Sequence, residues 1–205
     1  GKVTVLSMGP ASAEQVLRDA IAMGADHGIL LSDRRFAGAD TLATSYTLAR
    51  AIAKLGDVDL VICGKQAVDG DTAQVGPGVA ANLDIPHITQ VRKIRELTED
   101  KLVAERLTDR GYEVVEANLP AVITVVKELN EPRIPGLRGM MRAKKAEIPI
   151  WGPEDIEAEA ERIGLKGSPT QVWRTFEPER QRRGEMLEGT PSEQAAALWQ
   201  RLRSL

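Results

Sequence analysis

The chain has 205 residues, 42% hydrophobic and 28% charged, with a net charge of −3 at pH 7. That length suits one large domain, or one domain with a tail, and is enough to bury a real core. The charge balance offers no basic field to nucleic acid or a membrane surface, no apolar run approaches the roughly 20 residues of a membrane span, and no secretory signal opens the sequence.

Residues 2–8 (KVTVLSM) alternate β-branched side chains and predict a strand. Ser12-Ala13-Glu14-Gln15 has the form of a capping box, ahead of a helix with Val16, Ala20, Ile21 and Met23 as its stripe and Gly24 as its stop. His27–Leu31 predicts a second strand, and a loop with Arg34, Arg35 and Gly38 leads to a helix from about Asp40 to Leu55, ended by Gly56. Val58–Cys63 is apolar almost throughout, as expected of a strand covered on both faces of a parallel sheet. A third helix is expected from Thr72 to Leu83, with Val75, Val79 and Leu83 on one face, and the strand HITQV follows Pro86. This β-α-β-α-β-α-β order predicts an α/β fold with a doubly wound, mostly parallel, Rossmann-like sheet.

The texture then changes. Lys101–Leu107 and Tyr112–Ala117 read as a hairpin, a small antiparallel extension, and Ala121–Lys127 reads as another buried strand. The loop ELNEPRIPGLRG precedes a basic stretch, MMRAKKAEI, that reads as helical. An acidic helix is expected from Glu154 to Ile163, then an extended arm, then a last helix announced by Thr190-Pro191-Ser192-Glu193. The expected division is an α/β domain at 1–150 and a C-terminal arm and helix at 151–205.

Cys63 is the only cysteine, so an internal disulfide is excluded and a reducing compartment, the cytoplasm or an organelle matrix, fits. It reads as a small buried hydrophobe. His27 and His87 lie far apart without metal-ligand spacing.

The stretch DLVICGKQAVDGDTAQVGPGVAANL (Asp59–Leu83) carries the functional signal. A loop at the carboxyl end of a buried parallel strand is where open α/β sheets bind ligands. The following helix begins with unpaired N–H groups and a positive dipole end, which suit phosphate. Gly70 permits close backbone approach, Gly76 and Gly78 permit tight packing, and Asp71 or Thr72 is positioned to cap the helix. Asp69 suits a ribose hydroxyl or backbone N–H groups. The same residues also fit an ordinary strand-to-helix connection with Gly and Asp as turn formers. Gly64-Lys65-Gln66 is not a Walker loop, and no G-x-G-x-x-G is present.

This loop resembles the nucleotide-binding signature of electron transfer flavoprotein beta subunits. LPAVITVVKELNEPRIPGLRGMMRAKK (Leu119–Lys145) and VTVLSMGPASAEQVLRDAIAMGADHGILL agree with the same family. The resemblance implies a heterodimer with an alpha subunit and electron transfer between dehydrogenases and downstream acceptors. It implies an adenine-nucleotide site at Met8, Gly9, Gly64, Asp69, Gly70, Asp71, Thr72, Ala73, Gln74 and Val75. It makes EPRIPGLRGMMRAKK the loop that docks an acyl-CoA-type or other dehydrogenase, with Leu137 as anchor and Arg138, Arg142, Lys144 and Lys145 steering. A contact within the chain for Leu137 and a solvated helix face for the basic run are the readings without the resemblance. The absence of an acidic side chain at Gly70 favours FAD over AMP, and with FAD the resemblance extends to NADH-driven electron bifurcation toward a low-potential carrier such as ferredoxin or flavodoxin. Family members carry a further strand, long loop and helix ahead of the equivalent of Lys2, so a slot is expected in the sheet. The alternative on the same fold is an adenine-nucleotide-binding sensing or interaction module without redox function.

Overall fold

The computed structural model describes residues 1–177, 184 and 186–203. Two compact units are present, Gly1–Val172 and Trp173–Leu205. The first contains β1 (Thr4–Met8), α1 (Glu14–Met23), β2 (His27–Leu31), α2 (Thr41–Leu55), β3 (Leu60–Gly64) and α3 (Val75–Leu83). It continues with β4 (His87–Leu97), β5 (Lys101–Thr108), β6 (Gly111–Asn118), β7 (Ala121–Val125), α4 (Leu137–Lys145) and β8 (Ile150–Trp151). The second unit holds α5 (Pro191–Arg203).

The fold is α/β, with two sheets where one was expected. β1, β2 and β8 form a parallel sheet in the order β1-β2-β8. The other sheet runs β3-β7-β4-β5-β6, parallel from β3 to β4 and antiparallel beyond. The expected hairpin is therefore the outer, antiparallel part of the second sheet. β1 and β3 are edge strands, and α2 spans the interval between the sheets. Its Tyr46 and Ala51 pack with Leu31 and Phe36 on the first sheet's side, whereas its Ala49 packs with Val79 and Val122 on the second, and Leu48 serves both clusters. β3 departs from expectation. It is not covered on both faces, and Ile62 is 58% exposed.

Local signals held where backbone physics is local. Gly24 stops α1 at φ 130°, Asp40 caps α2 through the Leu42 and Ala43 amides, and Gly56 ends α2 at φ 80°. The capping box at Ser12 is not formed. Residues 11–13 make a 3-10 turn that runs directly into α1, so Ala13, already helical at φ −69°, ψ −10°, occupies the cap position without a side-chain bond. The buried face of α1 is Leu17 and Ile21, while Val16 is exposed.

The acidic segment 154–163 is not an α-helix. α2 diverts its backbone acceptors: Arg50 Nε donates to the Ile156 carbonyl at 3.1 Å and Lys54 donates to that of Asp155. Arg35 pairs with Glu154, Arg50 with Glu157, and Glu157 sits at φ 50°. With Ile156 and Ile163 buried, the segment is pinned across α2 as turns. In the second unit the last helix starts as expected, with Thr190 Oγ1 donating to Glu193 Oε2 at 2.8 Å. The extended-arm reading falls partly on residues 178–183 and 185, outside the described residues. No described helix is long and apolar enough to cross a membrane.

Candidate functional site

β3 delivers the chain to the loop in a defined direction, because Lys65 N continues the ladder to the Val125 carbonyl at 3.0 Å. Residues 66–71 then close into a turn. Gln66 Nε2 donates to Asp71 Oδ1, the Asp71 amide donates to the Ala67 carbonyl at 3.0 Å, and the Gly70 amide donates to Asp69 Oδ1 at 2.9 Å. Asp71 and Ala73 hold φ of 49° and 54°. A left-handed residue other than glycine costs roughly 1–2 kcal/mol, and such strain collects at binding sites.

This backbone corrects the expected helix start. α3 begins at Val75, because left-handed Asp71 and Ala73 interrupt helical geometry through residues 71–73. Neither Asp71 nor Thr72 caps it. Gln74 holds the cap position without a side-chain cap bond, and its Oε1 accepts instead from Thr41 Oγ1, the first residue of α2, at 2.8 Å. Among the described residues, the main-chain amides of 72–76 donate to no acceptor, and Pro77 has no N–H to add. The loop thus offers a row of donors at the positive end of a helix.

The glycines divide into two kinds. A Cβ on Gly76 would collide with Thr124 Cγ2, and one on Gly78 would lie 2.8 Å from Ser45 Cβ, so both let α3 press against β7 and α2. A Cβ on Gly64 or Gly70 would meet nothing within 4 Å. The donor row and open backbone fit a phosphate or diphosphate. Asp69, Asp71, Thr72 and Gln74 are exposed, with both carboxylates bound within the turn.

Met8 lies level with Leu31 across β1 and β2. The Gly9 amide is already spent on the Leu31 carbonyl at 3.0 Å, and a Cβ there would lie 3.0 Å from Ala13 Cβ. Met8 packs beside the Phe36 cluster. β2 leads onward to the start of α2, and Thr41 there reaches Gln74. Residues 8–9 lie at the carboxyl end of β1, the loop after Gly64 follows that of β3, and the Thr41–Gln74 bond joins this loop to the start of α2. Thr41 was not among the residues singled out from sequence. A threonine just after a helix cap carries no local mark of a partner 33 positions away. Cys63 packs beside Val79 and Val122, and burial pushes its thiol above the usual value.

The second group of residues sits on α4. α1 and α4 run antiparallel in close contact, since a Cβ on Gly139 would collide with the Ala22 carbonyl and Ala143 is buried. Each helix supplies an arginine to the other: Arg18 Nη1 donates to the Ala143 and Ala146 carbonyls at 2.5 and 3.2 Å, and Arg142 Nη2 to the Ile21 carbonyl at 2.7 Å. Arg142 is thereby a structural brace as well as a surface charge. Leu137 is 71% exposed and Ile134 is 91% exposed. Beside them is a groove of about 370 Å³ lined by Ala22, Gly24, Arg133, Arg138 and Arg142. Arg138, Lys144 and Lys145 are exposed.

Fold and loop together define an α/β protein with an open, donor-rich loop at the rim of its parallel strands. The chain belongs to the electron transfer flavoprotein domain family, whose model matches residues 1–156. It is 51% identical over 205 residues to an electron transfer flavoprotein subunit beta from Thermoanaerobacterium thermosaccharolyticum, spanning 100% of this chain and 78% of that protein. It is 49% identical over 195 residues to the caffeyl-CoA reductase-Etf complex subunit CarD of Acetobacterium woodii, with 95% and 74% covered. It is 46% identical over 185 residues to protein FixA of Azorhizobium caulinodans, with 87% and 66% covered.

Proposed function

We propose that this chain acts as the beta subunit of an electron transfer flavoprotein, on a doubly wound type of scaffold. Paired with an alpha subunit, it carries electrons from dehydrogenases to downstream acceptors. The observation that carries this reading is the row of unpartnered amides at residues 72–76 above the open Gly64 and Gly70. In it, the amides of Thr72, Ala73, Gln74 and Val75 bind the phosphates of an adenine nucleotide, and Asp69 offers its second carboxylate oxygen to a ribose hydroxyl. Met8 and Gly9 border the same rim. FAD, when bound, supplies the electron-transfer chemistry, and the protein supplies position and electrostatics.

The open space at Gly70 favours FAD over AMP, because position 70 itself brings no side chain or carboxylate against a diphosphate. Similarity to a subunit of a caffeyl-CoA reductase-Etf complex supports the bifurcating form, with NADH as donor and ferredoxin or flavodoxin as low-potential acceptor. Leu137 is the apolar anchor for the dehydrogenase, and Arg138, Lys144 and Lys145 steer its approach. The exposed Trp173 and Phe176 and the apolar face of α5 are surfaces for the alpha subunit. The lone cysteine agrees with a cytoplasmic setting.

Co-expression with the alpha subunit and quantitation of released nucleotides tests this. Two FAD per heterodimer is the expected result. One FAD with one AMP retains the carrier and removes bifurcation. A complex without nucleotide supports the sensing or interaction module instead.

A further inference from the structure

Gln74 occupies a cap position yet caps nothing. Its side chain turns to Thr41, whose hydroxyl donates to Oε1 at 2.8 Å. A glutamine amide has one acceptor end and one donor end. With the acceptor end held by Thr41, Nε2 has no partner in the described chain. It is an unspent side-chain donor in the same stretch as the unpartnered main-chain amides of 72–76.

The holder is rigid. Thr41 opens α2 directly after Asp40, whose carboxylate fixes the Leu42 and Ala43 amides at 2.9 and 3.1 Å. Ser45 Oγ donates to the Thr41 carbonyl at 2.6 Å and lies 3.3 Å from that of Val75, so this hydroxyl sits between the starts of α2 and α3. Gly78 against Ser45 keeps the two helices at the same separation.

We infer that Thr41 is a positioning residue of the nucleotide site, holding the Gln74 amide with Nε2 toward the phosphate and Oε1 away from it. The inference rests on the reading that the loop after Gly64 binds an adenine nucleotide. A released side chain would rotate freely and would present its oxygen dipole to the anion for part of the time.

The test uses the purified heterodimer, stripped of nucleotide and titrated separately with FAD and AMP. Thr41→Val should weaken nucleotide binding about fivefold, the scale of one hydrogen bond, with the melting temperature of the stripped dimer unchanged. Thr41→Ser should restore wild-type affinity. Gln74→Glu keeps an acceptor for Thr41 but turns the donor into a carboxylate. It should lose more than about tenfold at low salt, with the loss shrinking as salt screens the repulsion. Wild-type affinity in Thr41→Val or in Gln74→Glu would overturn the inference while leaving the nucleotide site in place. Failure of the wild-type dimer to bind either nucleotide would remove the site and the inference together.

Discussion

Asp40 and Thr170 lie 130 residues apart and are joined twice: Asp40 Oδ2 accepts from the Thr170 amide at 3.1 Å and from its hydroxyl at 2.9 Å. The other oxygen caps α2, and the Asp40 amide donates to Ser168 Oγ at 2.8 Å. One carboxylate thus starts the helix whose Thr41 reaches the loop after Gly64, and fastens the strap formed by residues 164–170. Burial raises its pKa, but the bonds from Ala43, Thr170 and Leu42 outweigh burial and hold it below the usual value. Asp40→Ala is expected to cost about 1–2 kcal/mol, the scale of a lost helix cap, in urea unfolding. It should also speed proteolysis near residues 168–172. Asp40→Asn retains a cap acceptor and should cost less.

Acid should loosen a neighbouring tie. Hydrogen bonds from the Arg35 side chain and amide hold Asp33 at about 2, below an ordinary value of 3.8, and Arg35 also lowers Glu154. A carboxylate lowered in the folded state stabilises above its unfolded pKa and loses that contribution as pH falls through the folded one. The contribution is therefore complete only above about pH 5, clear of the ordinary values 3.8 and 4.5, and fades toward pH 2. Melting temperatures of wild type and Arg35→Met should differ by a constant amount above about pH 5 and converge toward pH 2. A gap independent of pH would count against this account.

A glycine in the loop and one in α3 should respond differently to alanine. In an exposed helix Gly→Ala gains about 1 kcal/mol. Gly78→Ala should instead cost about 1–3 kcal/mol, because its Cβ meets Ser45 across the α2–α3 contact. Gly70→Ala, with open space, should leave stability within about 0.5 kcal/mol. Gly70→Asp should also fold normally but lower FAD affinity more than AMP affinity, as measured by equilibrium titration of the heterodimer.

If Leu137 anchors the proposed dehydrogenase contact, its substitution should separate docking from folding. Being exposed, it should tolerate Leu137→Ala with an unchanged melting temperature, while KM in a dehydrogenase-coupled reduction assay rises about 30-fold, the effect of losing an interface hot spot. Gly139→Val is the complementary change. It drives α4 away from the Ala22 carbonyl, so it should lower both stability and docking. An unaltered KM in Leu137→Ala would place the dehydrogenase contact elsewhere.

The sequence by itself determined the elements whose causes are local. Asp40 and Gly56 bound α2, Thr190 and Glu193 start α5, and Lys101–Leu107 and Tyr112–Ala117 pair as a hairpin. It also marked the stretch around Gly64–Val75 as a candidate, because a helix start after an apolar strand suits an anion, although the same glycines and aspartates serve equally as ordinary turn formers. Tertiary structure alone decided the division into two sheets, the exposure of Ile62, the unwinding of 154–163 and the turning of Gln74 toward Thr41. Hydrophobic periodicity reports which face of an element is apolar. It is silent about which neighbour covers that face, and about carbonyls and amides claimed by side chains more than 30 positions away, as those of Ile156 and Thr170 are here by Arg50 and Asp40.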